Sequence, residues 1–133
     1  MLGFMYQAHS GWRYIVILIT VVVLAKYLFS WLSGREWTSL DQRLGMAMPI
    51  VYDIQLLMGL VLWVMGRYWS IDNPTVVWEH PVTMIIAIAV AHIAWNRVKS
   101  AEASAAKFRI GTIGFAISGL VMTLGVMRIT GMV

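Results

Sequence analysis

The sequence predicts an all-α integral membrane protein, an antiparallel up-down bundle of four transmembrane helices. Three observations carry that expectation. Hydrophobic residues make up 60% of the chain and charged residues only 12%, where a soluble domain carries about 25% charged. A soluble fold of 133 residues has too little interior to hide so much apolar surface, so lipid must be the solvent for most side chains. Next, the apolar residues fall into four segments of roughly 18 to 24 residues, the length that spans about 30 Å of hydrocarbon at 1.5 Å per residue. Finally, the basic residues favour alternate connections, as they do in multi-pass membrane proteins.

The first helix is expected from about Ser10 to Ser33, closed by Ser33-Gly34. Met1 to Ser10 has no basic residue, and the run that follows has no small-residue cleavage site, so this helix reads as retained rather than as a signal peptide. The second helix is expected from about Ala47 to Gly66, with Pro49 in its first turn, where a missing N–H costs little. Asp72-Asn73-Pro74 then opens a loop. The third runs from about Pro81 to Val98, and Ser100 to Lys107 forms a short connection. The fourth runs from about Phe108 to Ile129. Residues 1–133 read as one domain without internal repeats.

Orientation follows from lysine and arginine. Lys26, Arg35, Arg43, Arg97, Lys99, Lys107 and Arg109 flank the first and third connections; only Arg13, Arg67 and Arg128 lie on the other side. The seven-to-three bias places the first and third connections in the cytoplasm and both termini outside. Trp12, Trp63, Trp69 and Trp78 form an outer belt, and Trp31, Trp37 and Trp95 an inner one. The net charge of +4 therefore speaks to topology and not to a nucleic-acid partner. The absence of cysteine excludes disulfides, thiolate zinc sites, cysteine-ligated clusters and covalent c-type haem. No Walker, Rossmann, HExxH or nucleophile-elbow motif is present. The ten methionines suit adaptable packing.

Polar side chains inside a bilayer are costly, so each needs a reason. Laying the helices antiparallel yields an outer group, His9, Arg13 and His80, just before the first and third helices. Arg13 follows His9 by four residues, hence on one helical face. Two histidines from different helices suit the axial positions of haem b, and an arginine suits its propionates. Met84, one turn below His80, is a packing contact for such a ring. The competing readings are interfacial hydrogen bonding to water, headgroups or a loop carbonyl, and a metal or quinone contact. An inner group contains Lys26, Asp53 and His92. Asp53 is expected to point inward and pair with His92, with Lys26 reaching the pair or snorkelling outward. Such a group can fix helix register, relay protons or form the polar end of a quinone site. Gly111, Gly114, Ser118 and Gly125 make a small-residue stripe on the fourth helix, for packing within the bundle or against a partner subunit.

The opening His9-Ser10-Gly11-Trp12-Arg13-Tyr14, the stretch Gln55 to Leu60, Glu79-His80-Pro81 and the alanine-rich run into His92 together resemble small bacterial four-helix membrane proteins labelled cytochrome b-like. Such proteins carry a histidine where Asp53 stands, so the resemblance leaves His9, His80 and His92 as candidate ligands. It implies a bacterial inner-membrane protein of a respiratory or photosynthetic electron-transfer chain, binding haem b, contacting quinone, and assembling with other membrane subunits or with itself. The alternative is a cofactor-free accessory subunit of a larger complex. A transporter is disfavoured, because four helices without a repeat leave little room for alternating access.

Overall fold

A computed structural model describes residues 2–131. It contains four long helices: α1 (Leu2–Leu32), α2 (Ser39–Met65), α3 (His80–Ser100) and α4 (Ser104–Ile129). A 3-10 turn (Tyr68–Ser70) and a π turn (Thr75–Glu79) lie between α2 and α3. All four helices are long and apolar enough to cross a membrane, the third counted with its π turn from Thr75 to Ser100. Sequential neighbours pack antiparallel and α4 closes back on α1, so α1 stands diagonally across the bundle from α3. With Leu2 and Gly131 at the upper end, the 66–74 segment is also at the top, and the 33–38 and 101–103 connections are at the bottom.

Two helices begin well before their apolar runs. α1 starts at Leu2, eight residues ahead of expectation, because nothing in Leu2 to Ala8 breaks a helix. α2 starts at Ser39, because Thr38 and Asp41 form a reciprocal capping box. In α2 the added turns, Ser39 to Gly45, are mostly polar and extend beyond the apolar run that hydropathy marks. Pro49 consequently lies buried inside α2 and not in its first turn. Pro81 does sit in the first turn of α3. It lacks the N–H that would bond the carbonyl four residues back, that of Val77. The indole Nε1 of Trp63 donates to that carbonyl instead, at 3.0 Å.

The bundle is apolar outside as well as inside. Leu18, Leu57, Ile93 and Leu120 are each more than half exposed, while aromatic residues, valines, methionines and alanines fill the centre. The stripe on α4 is consumed inside the chain. Gly111 abuts Tyr27 and Val98, Gly114 abuts Ala94, and Gly125 abuts Met84. Ser118 Oγ donates to the backbone oxygen of Ala87 at 2.6 Å. Between the expected alternatives, then, the stripe packs α4 against α3 and α1.

Candidate functional site

His9 and His80 meet at the upper end of the bundle interior. Their ring centroids are 6.3 Å apart and the ring planes are nearly perpendicular, at 87°. Because α1 starts at Leu2, His9 stands two turns inside the helix, not ahead of it. The two histidines approach across the diagonal of the bundle, which brings both side chains toward its centre. His80 begins α3 directly after the π turn, and its own N–H closes that turn onto the Thr75 carbonyl. Such widened turns recur at functional sites, where they re-aim a side chain.

His9 is held by a reciprocal clamp. Its Nδ1 lies 3.2 Å from the backbone oxygen of Gln55, and Gln55 Nε2 donates to the backbone oxygen of His9 at 2.9 Å. A carbonyl can only accept, so Nδ1 carries the proton and Nε2 presents a lone pair. This is the arrangement by which metal-binding histidines are oriented. Gly59 makes room for the ring, since a Cβ there would stand 2.9 Å from His9 Cε1. His80 Nδ1 and Gln55 Oε1 are buried and make no hydrogen bond among the described residues.

A cavity of about 420 Å³ opens between the helices at this level, bordered by His9, Arg13, Tyr52, Gln55, Gly59, His80 and Met84. That volume lies within the usual range for small-molecule sites, about 300–1,000 Å³. At its floor Tyr52 and Thr20 share a hydroxyl–hydroxyl bond of 3.1 Å. Arg13 borders the cavity and stacks over the Tyr14 ring at 5.1 Å, its Nη2 donating to the Tyr14 hydroxyl at 3.2 Å.

These residues fit haem b on two counts. With metal–nitrogen bonds of about 2 Å, and the ring centre roughly 1 Å behind each nitrogen, two imidazoles trans on one metal have centroids about 6 Å apart. The observed separation is 6.3 Å. In addition, Arg13 is the cationic group at the rim, where propionates would be recognised.

The inner group is rearranged. Asp53 and His92 do meet, His92 Nε2 to Asp53 Oδ1 at 2.8 Å. They do so on the outer surface of the bundle, with side chains 50% and 47% exposed, so Asp53 does not point inward. His92 is thereby separated from the His9–His80 cavity, which it does not border. Lys26 joins neither residue. It pairs with Asp41 Oδ1 at 2.7 Å and donates to Ser30 Oγ at 3.1 Å. Asp41 is fully buried, and its Oδ2 accepts from the backbone N–H and hydroxyl of Thr38. The T-x-x-D spacing of Thr38 and Asp41 was the available signal for this partner. Tyr52, Gln55 and Gly59 were likewise readable as one face of α2, at steps of three and four. No family model matches the chain, and no curated protein or solved structure is measurably similar to it.

Proposed function

We propose that this protein is a small electron-transfer component of a bacterial inner membrane that holds haem b between His9 and His80. The observation that carries the reading is the approach of two imidazoles across a four-helix interior, 6.3 Å between centroids, beside a cavity of about 420 Å³. Haem b supplies one-electron chemistry when bound. The chain's own residues supply the rest. Gln55 fixes the His9 tautomer that leaves a lone pair on Nε2. The buried Nδ1 of His80, without a partner among the described residues, is available for coordination or polar contact. Arg13 neutralises carboxylates at the rim. The surrounding apolar helices exclude water, which strengthens each of these polar interactions. Contact with a membrane quinone through the cavity mouth completes the proposal.

The test is an absorption spectrum of the purified protein expressed with ample haem. A Soret band with a reduced-minus-oxidised difference supports the reading. A colourless, folded protein overturns it in favour of a cofactor-free accessory subunit. The orientation, with both termini outside, rests on the seven-to-three basic bias. Cysteine at Asn73 should react with an impermeant thiol reagent on intact cells, and cysteine at Ser39 should not.

A further inference from the structure

We infer that two copies of this chain pair in the membrane through the α2–α3 face, with their Asp53–His92 pairs at the centre of a two-fold interface. The inference starts from where this pair lies. Asp53 lies six residues past Ala47, where the apolar run of α2 begins, and His92 six residues before Val98, where that of α3 ends, each roughly 9 Å inside the span. The pair is thus within the apolar span and yet half exposed. Ionisable groups facing hydrocarbon are costly and normally face protein or water. A protein surface placed over them removes that cost.

The chemistry of the pair identifies the occupant as a second copy. One bond, from His92 Nε2 to Asp53 Oδ1, uses half of its capacity. Asp53 Oδ2 and His92 Nδ1 make no hydrogen bond among the described residues. In hydrocarbon the pair must be net neutral, either as an ion pair or as a neutral acid with a neutral imidazole. In both forms the two remaining atoms are one donor and one acceptor. The pair is therefore complementary to itself. Depth agrees with this. Asp53 and His92 bond to each other, so they share one level, and a two-fold axis along the membrane normal keeps level. The second copy's pair arrives opposite the first, with each Asp53 facing the other copy's His92.

The surroundings are suited to helix packing. Ile50, Leu57 and Leu60 are 48%, 63% and 42% exposed, and with Asp53 they follow the alternating three-and-four spacing of a helix–helix seam. A single polar position in such a seam fixes register and the number of partners. On α3 the exposed Ile85 and Ala89 continue into His92 with the same spacing. The α4 stripe, the other surface suited to close approach, is already occupied within the chain.

The chain has no cysteine, so a single introduced cysteine reports alone. Under mild oxidation in native membranes, Ala89→Cys should yield an adduct of twice the 15.0 kDa chain mass. Leu120→Cys, on the opposite face, should not. In nanodiscs the double variant Asp53→Leu, His92→Leu should raise the dimer dissociation constant roughly tenfold. Asp53→Asn, which keeps a donor and an acceptor, should restore pairing. Equal cross-linking at both faces, an Ala89→Cys adduct to a different protein, or a monomeric wild-type protein by native mass spectrometry would each overturn the inference. The cross-link is read without any change to the pair, so a double variant that fails to fold leaves the test intact. None of these readouts depends on a bound cofactor.

Discussion

The two halves of this bundle solve the same packing problem in opposite ways. In the lower half, aromatic rings fill the centre. Tyr27, Phe108 and Phe115 are each fully buried, and the Tyr27 ring lies 5.3, 5.6 and 6.0 Å from those of Trp37, Phe108 and Phe115. The ion pair there and the Tyr27 hydroxyl are satisfied, Lys26 by Asp41 and Ser30 and the hydroxyl by the Asp41 carbonyl at 2.7 Å, while Thr112 Oγ1 is buried without a partner among the described residues. Gly45 exists because Tyr27 and Trp95 leave no room for a Cβ. In the upper half the same four helices leave a cavity of about 420 Å³, and two buried polar atoms lack partners among the described residues. The proposed function rests on this contrast in packing: the lower half is filled by aromatic rings, and the upper half keeps a cavity beside His9 and His80.

The comparison breaks most completely at the histidines. His9→Ala or His80→Ala should abolish a low-spin haem spectrum altogether while leaving the helical content by circular dichroism unchanged; a retained spectrum would remove the upper half's assigned role. In the lower half the largest effect should fall on stability. Asp41→Ala strands the Lys26 ammonium and removes the α2 capping box, at a cost of about 3–5 kcal/mol, measurable by denaturant titration in detergent micelles. The folded fraction should keep its cofactor spectrum. A smaller effect is expected from Arg13→Ala, which should retain haem but lower its midpoint potential. A nearby positive charge favours the reduced, less positive iron, and its removal shifts the potential by tens of millivolts on the order of one weakened charge contact. Redox titration of wild type and variant checks the sign. The smallest effect belongs to the surface pair. A double-mutant cycle on Asp53 and His92 should give a coupling of roughly 1 kcal/mol, with no change in the spectrum. A spectral change there would join the pair to the upper site and erase the distinction between the halves.

The amino-acid sequence by itself determined the four spans, their antiparallel order and the basic asymmetry between the two ends. These are local properties. In lipid each segment must satisfy its own backbone, so only a helix of sufficient apolar length will do. The same locality explains why His9, Arg13 and His80 could be grouped by depth alone. Depth, however, does not fix direction. Whether Asp53 faces the core or the lipid depends on how α2 is rotated against its neighbours, and that rotation is set by packing, by Gly59 beneath His9 and by Gly45 beneath Tyr27 and Trp95. Lys26 was grouped with Asp53 by depth, but a buried carboxylate lies closer once α2 begins at Ser39 and carries Asp41 to the α1 surface. The diagonal meeting of His9 with His80 likewise required the ring order of the helices and an α1 two turns longer than its hydropathy suggests. Length and hydrophobicity are summed along the chain; which polar groups touch is decided by helix rotation and register, which only the packed bundle fixes.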